Sequence, residues 1–297
     1  MRGSLELLAR FVSGGRAGAT NLAWWRLRYQ HTALIQKALA ASYAPSTANK
    51  VLTALRGVLR ECFRLGLMSA EDYERARDVK SVKGSRLPPG RHIDGGELLV
   101  LFRACATDEK RVRGARDGAL LALLYVCGLR RNEASKLKLS DYDSETLRIR
   151  VIGKGNKERS VYAAGGAEKI LGRWLRYRGD EPGPLFHPVN KGGRILREDR
   201  DGHPRHLSEQ AIYDVVKRRH KQIGVAKPIS PHSFRATFIG DLLDAGADLS
   251  SAQKLAGHAD PRTTARYDRR GERALKKSAS LLHVPYLGDT EEEDEGV

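Results

Sequence analysis

Apolar residues recur at helical spacing through the first quarter of the chain. Between Ser46 and Gly66, Val51, Leu52, Leu55, Val58, Leu59, Cys62 and Phe63 fall three and four apart, which predicts an amphipathic helix. Pro45-Ser46-Thr47 supplies its start and Gly66 its stop. Ser69 ahead of Asp72 predicts a second, capped helix through Arg77, so residues 1–80 read as helical. From Ser81 to Gly95 the pattern breaks. Gly, Pro and basic residues follow one another without periodicity, as in an interdomain linker lying along something negatively charged.

Beyond the linker, Ala119 to Cys127 is apolar almost all round, the pattern of a central core helix. Leu147, Ile149 and Val151 alternate with Arg148 and Arg150, a half-buried strand. Gly153-Lys154-Gly155-Asn156 turns the chain, and Ser160-Val161-Tyr162 returns it as a hairpin. Helices are expected near 166–178, 208–223, 231–245, 250–257 and 271–282. The fold class is therefore mainly α with a small antiparallel β-sheet. Two domains are expected, 1–80 and 96–287, joined by linker 81–95 and followed by tail 288–297.

Charge narrows the partner. The 297 residues carry a formal net charge of +17 with a pI near 10.0, which points to a polyanion, nucleic acid before membrane. Gly288 to Val297 holds six acids and no base, so the remaining chain stands at +23. Such a tail reads as a solvated, disordered end. Arg56, Arg60 and Arg64 lie four apart on one helix face, open between a solvated surface and contact with DNA phosphates. Lys83 and Arg86 in the linker are further candidates for DNA contact. The three cysteines, Cys62, Cys105 and Cys127, lack motif spacing and read as reduced thiols of a cytoplasmic protein acting on the nucleoid. Neither a metal-ligand pattern nor a phosphate-cradling P-loop is seen, so no metal or cofactor is expected. No apolar run reaches transmembrane length and Met1-Arg2-Gly3-Ser4-Leu5 opens no signal sequence, so no membrane partner is expected.

Six residues have the chemistry of metal-free phosphodiester exchange: Arg130, Lys154, His232, Arg235, His258 and Tyr267. A guanidinium stays charged at working pH and holds two phosphate oxygens at once, so Arg130 and Arg235 form a candidate clamp. Glu133, three residues after Arg130, can orient that guanidinium, while Arg131 competes for the clamp role. Tyr267 is the candidate nucleophile; its phenol, near pKa ~10, needs cationic neighbours or a base. His232 can take the phenolic proton or brace the phosphate, and His258 can donate to a non-bridging oxygen. Lys154 at the hairpin tip can protonate the departing 5′ oxygen, and Lys157 competes for that task.

Gly-Leu-Arg-x-x-Glu from Gly128, Val-Ile-Gly-Lys-Gly-Asn-Lys-Glu-Arg from Val151, His-x-x-Arg from His232, Leu-Ala-Gly-His from Leu255 and Thr-Thr-Ala-Arg-Tyr from Thr263 together resemble the tyrosine recombinase, or phage integrase, family. The resemblance covers about 94–285, and residues 1–80 resemble the family's helical core-binding domain more loosely. It implies a mixed α/β catalytic domain in which Arg130, Lys154, His232, Arg235 and His258 surround the scissile phosphate and Tyr267 attacks it. It further implies a 3′-phosphotyrosyl intermediate, a homotetramer on a double-stranded recombination site, exchange through a Holliday junction, and accessory proteins in some members. Many members have a second histidine directly after the clamp arginine; here it is Ala236, outside the catalytic set. The short N-terminal region leaves no obvious room for an arm-site-binding domain. Segment 271–285 is apolar enough to dock on a neighbouring protomer or to pack within its own chain. A type IB topoisomerase-like enzyme and a catalytically silent DNA-binding regulator are the alternatives. Relaxation of any plasmid would mark the first, and failure to form a covalent DNA adduct the second.

Overall fold

Among the described residues, four α-helices build the first of two units into which the chain divides, Met1–Leu87 and Pro88–Val297. The computed structural model describes residues 2–84, 90–153 and 155–268, with Gly271 and Ala279. Arg86, Lys154, tail 288–297 and most of the helix expected at 271–282 lie outside the described residues. In the first unit α1 (Arg2–Ser13), α2 (Tyr29–Ser42), α3 (Pro45–Arg64) and α4 (Ala70–Arg77) enclose Leu8, Ile35, Leu39, Leu52, Leu55, Leu59 and Tyr73. The capping expectation holds: Ser69 Oγ accepts from Asp72 N–H at 3.1 Å, meeting one of the donors a helix start leaves open. The Asn49 side chain on α3 donates to Val82 O (3.0 Å) and accepts from Val82 N–H (2.8 Å). The first residues of the expected linker are thus fastened to this unit.

The second unit starts with α5 (Gly95–Ala106) and α6 (Arg111–Val126). Ala119–Leu124 of α6 are buried on every side, as the all-round apolar pattern requires. A short α7 (Arg131–Lys136) leads into a three-stranded antiparallel sheet, β1 (Tyr142–Asp143), β2 (Arg148–Ile152) and β3 (Glu158–Tyr162). Ile149 pairs with Val161 across β2 and β3; both are buried, while Arg148 and Arg150 face outward. Leu147 is not part of the strand. Its φ of 57° closes a turn in which the Asp143 carboxylate accepts from Glu145 and Thr146 N–H. Helices α8 (Ala167–Arg178), α9 (Glu209–Ile223), α10 (Pro231–Asp244), α11 (Leu249–Ala256) and α12 (Pro261–Ala265) complete the described chain.

The far end of the expected linker also belongs to folded structure. Ile93 is fully buried, and its N–H donates to Thr237 Oγ1 on α10 at 2.8 Å. Gly90 (φ +100°) lies so close to α10 that an added Cβ would sit 2.5 Å from the carbonyl carbon of His232. His92 Nε2 is 2.8 Å from Asp241 Oδ1, and Arg91 pairs with Glu97 at 2.6 Å. Gly and basic residues, which read as part of an interdomain linker, here run along α10 from His232 to Asp241. Cys62, Cys105 and Cys127 are buried free thiols. No helix among the described residues is long and apolar enough to cross a membrane.

Candidate active site

The turn into α7 places the first candidate arginine. Gly128 (φ +55°) presses on Phe238; a Cβ there would stand 2.2 Å from ring Cδ1, so only glycine fits. Arg130 then occupies the N-cap of α7, and Glu133 serves it twice. Glu133 Oε2 accepts the Arg130 backbone N–H and Oε1 accepts Nη1, both at 2.8 Å. Its neighbour Arg131 lies over the Tyr213 ring, 5.9 Å from the centroid. Of the two rivals for the clamp, Arg130 faces the cluster described next and Arg131 stacks on α9.

The C-terminal end of α11 collects three arginines. Arg159 Nε donates to Leu255 O (2.9 Å), Arg235 Nη2 to Ala256 O, and Arg130 Nη2 to Gly257 O (3.0 Å). The last carbonyls of a helix lack intrahelical donors and carry the negative end of its dipole, so three consecutive acceptors there suit cations. Gly257 makes this possible by ending α11 in the left-handed conformation (φ 63°). Arg235, one turn into α10, is 5% exposed and also donates to Gly128 O. Arg159 closes the group by gripping Glu133 with both terminal nitrogens, Nη1 to Oε1 at 2.9 Å and Nη2 to Oε2 at 2.8 Å.

His258 follows directly on this helix end. Its Nδ1 lies 2.9 Å from Thr264 Oγ1 on α12, which fixes the ring plane. Thr264 also accepts the Tyr267 N–H through its carbonyl at 2.9 Å, so one buried threonine sets both residues. The His258 and Tyr267 rings stack with centroids 6.2 Å apart and planes 19° from parallel. The body of Tyr267 rests on the apolar group of Phe238, Ile239, Leu243, Ala252 and Ala256. His232, in the first turn of α10, keeps solvent-exposed surface.

Positive charge dominates the electrostatics. Burial raises the Glu133 carboxyl, but Arg159 and then Arg130 outweigh it and hold the pKa at about 2. Burial, then Arg130, pulls Arg235 down to about 9, still cationic at neutral pH. Burial followed by Arg235, Arg130 and Arg159 pushes His258 down to about 4. His232 is lowered by desolvation and then by Arg131, Arg235 and Arg130. Desolvation raises the Tyr267 phenol, with Arg235, Arg266 and Arg130 pulling it back. One carboxylate set against this many cations leaves a site whose charge an anion would complete.

The structure brings Arg130, Glu133, Arg235, His258 and Tyr267 together, with His232 on the same helix start as Arg235. Lys154 lies outside the described residues, between Gly153, whose N–H donates to Lys157 O at 2.8 Å, and Asn156 (φ 58°) in the turn from β2 to β3. Lys157 is exposed on that turn. In the first unit Arg56 is committed to Val79 O, Arg64 pairs with Glu61 at 3.0 Å, and Arg60 and Lys83 are exposed. Arg56, Arg60, Arg75 and Arg77 line one cleft of about 710 Å³ in that unit. Two residues of the cluster carried no role in the sequence. Thr264 gave no signal. Arg159 did: it sits opposite Val151 in the ladder, on the inward side with Val161, where an arginine needs a buried acceptor.

A mainly helical chain with a small antiparallel sheet, in which arginines and histidines surround a tyrosine, is the arrangement of the tyrosine recombinases. The family model described as "Phage integrase family" matches residues 92–273, and the chain belongs to that family. It is 31% identical over 241 residues to tyrosine recombinase XerD of Listeria innocua, covering 81% of this chain and 77% of that protein. It is 32% identical over 231 residues to tyrosine recombinase XerC of Pelobacter propionicus, covering 77% and 70%. In fold it resembles XerH recombinase bound to palindromic difH substrate in a post-cleavage complex (TM-score 0.64, 22% identity, 92% of this chain and 76% of that one). It also resembles a lambda integrase dimer bound to a COC′ core site (TM-score 0.63, 15% identity, 90% and 88%).

Proposed function

We propose that this recombinase cuts and rejoins duplex DNA at a specific site through a 3′-phosphotyrosyl intermediate, with Tyr267 as nucleophile. Arg130 and Arg235 hold the non-bridging oxygens of the scissile phosphate, and His258 donates to one of them. Tyr267 Oη attacks phosphorus as the bond to the 5′ oxygen breaks. The phenolic proton passes to His232, whose depressed pKa leaves it neutral and able to accept. Lys154 gives the departing 5′ oxygen a proton. The phosphotyrosyl bond keeps the energy of the phosphodiester, so an incoming 5′ hydroxyl rejoins the strand by the reverse step without a nucleotide cofactor. Glu133 supports Arg130.

The observation that carries this reading is the anchoring of Arg130 and Arg235 on adjacent carbonyls, directly before the histidine that stacks on Tyr267. Residues 1–80 act as a core-binding domain through Arg56, Arg60 and Arg64, with Lys83 and Arg86 in linker 81–95 and Lys157 as further DNA contacts, and 96–287 act as the catalytic domain. The working form is a homotetramer on two double-stranded sites that exchanges strands through a Holliday junction, with accessory proteins where direction must be set. XerH and lambda integrase were captured on recombination-site DNA, which supports DNA as the partner. The test is covalent trapping on nicked duplexes tiled across the DNA flanking the gene, in EDTA. Wild type should give a denaturant-resistant adduct and Tyr267→Phe none, with binding retained; an adduct in both would refute the assignment.

A further inference from the structure

Arg159 makes more directed bonds within the cluster than its place in a short strand requires. Two of its nitrogens hold the Glu133 carboxylate and the third holds Leu255 O. Its side chain is 11% exposed and that of Glu133 2%. Both bond networks continue to the reacting groups. Glu133 passes directly to the backbone and guanidinium of Arg130. Leu255 O begins the run of carbonyls that continues through Ala256 and Gly257 to His258. A Cβ on Gly257 would meet Arg159 Cδ and Nη1 at 3.0 Å, so the helix end and this side chain are fitted to each other. On its own strand Arg159 is paired with Val151, one pair in from Ile152 and Glu158, which close the turn from β2 to β3. One side chain therefore touches the supports of Arg130, of His258 and of the hairpin.

We propose that Arg159 is a positioning residue for DNA cleavage, fixing the Arg130 guanidinium through Glu133 and the His258 turn through Leu255. The proposal rests on the recombinase reading above. Arg159 reaches the phosphate only through these groups, so its loss lowers the rate within the bound complex rather than affinity for DNA. Ångström-scale misplacement of reacting groups costs about a hundredfold in rate. The pH profile moves as well. Glu133 is faced by Arg130 at the start of its own helix, Arg159 from β3, Arg235 from α10 and His258 from the turn after α11. Without Arg159 the carboxyl loses its largest stabilising partner, and protonation that releases Arg130 occurs at higher pH.

The experiment measures single-turnover cleavage of the nicked duplex from pH 4 to 8 for wild type, Arg159→Ala, Arg159→Lys and Glu133→Gln, with DNA binding measured in parallel. An adduct with wild type secures the recombinase reading first; its absence would overturn that reading and this proposal with it, whereas the variants test the proposal alone. Arg159→Ala should bind DNA as wild type does, cleave about a hundredfold more slowly, and show its acid limb displaced upward. Arg159→Lys keeps the charge but not the two-nitrogen grip, and should recover part of the rate and most of the acid limb. In Glu133→Gln the added Arg159→Ala change should cost less than it does alone, because the two act through one contact. Unchanged rate and acid limb in Arg159→Ala would overturn the proposal. Binding and cleavage falling together in proportion, with the limb unmoved and no rescue by lysine, would also overturn it, since that is the signature of lost folding alone.

Discussion

Arg130 and Arg235 arise from different helices, yet their guanidinium groups donate to the carbonyls of adjacent residues, Gly257 and Ala256. The end of α11 thereby sets the spacing of the two cations proposed to grip the phosphate. Arg235 should tolerate exchange poorly. Arg235→Lys keeps charge but cannot reach Gly128 O and Ala256 O together, and Arg235→Ala leaves both without this donor. Cleavage should fall by about 10²–10³ in the alanine variant, the cost of losing one preorganised charge-stabilising donor. Single-turnover rates on a suicide substrate check this, and a lysine variant at wild-type rate would count against a two-point clamp.

Glu133 should contribute stability that acid removes. Its pKa in the folded protein, about 2, lies below the ordinary value of 4.5. A depressed carboxyl contributes fully above the unfolded value and loses that contribution as pH falls toward the folded one. Glu133→Gln should therefore be destabilised at pH 7 by about 3 kcal/mol, the cost of breaking a buried ion pair. The difference from wild type should narrow between pH 4.5 and 2. Urea unfolding at both pH extremes measures it, and a pH-independent difference would show that the charge of Glu133 is not the stabilising element.

His258 should be neutral at working pH. Its folded pKa of about 4 is below the ordinary value of 6.5. Between those values the unfolded chain binds the proton more readily, so this residue makes the protein less stable as pH falls through that window. A phosphate or sulfate held by Arg130 and Arg235 would offset the positive charge that depresses the ring, and its pKa should rise. NMR titration of the imidazole with and without inorganic phosphate reads this directly. An unmoved His258 would mean that the anion sits elsewhere.

The sequence pattern revealed the site unevenly, for physical reasons. The helix cores, the β2–β3 hairpin and the Arg130–Glu133 relation were legible because each follows from local spacing, and Glu three residues after an N-cap is such a signal. The rack of carbonyls at the end of α11 was not, since backbone acceptors have no side-chain signature. Arg159 was hidden for a related reason. Arg148 and Arg150 on the paired strand face solvent, and although the alternation puts Arg159 on the inward side with Val161, its acceptor, Glu133, comes from another helix and has no signal near it in the sequence. The packing of residues 90–93 on α10 is not legible in the sequence, because the glycine that lets the chain press on His232 also suits an interdomain linker.

Gly257 should resist even alanine. The left-handed backbone costs a residue with a Cβ about 1–2 kcal/mol, and the methyl would press on Arg159. Gly257→Ala should lower the thermal midpoint and slow cleavage together, because the displaced side chain supports Glu133. A midpoint shift with cleavage at the wild-type rate would confine the role of Gly257 to stability.

The central claim is that Tyr267 carries the DNA. The most direct measurement is to trap the covalent complex, digest both components, and identify the nucleotide-bearing peptide by mass spectrometry. The account predicts a single modified residue, Tyr267, joined to a 3′-phosphate, with the released strand ending in a 5′ hydroxyl. Attachment at another residue, or a 5′-phosphate linkage, would contradict it.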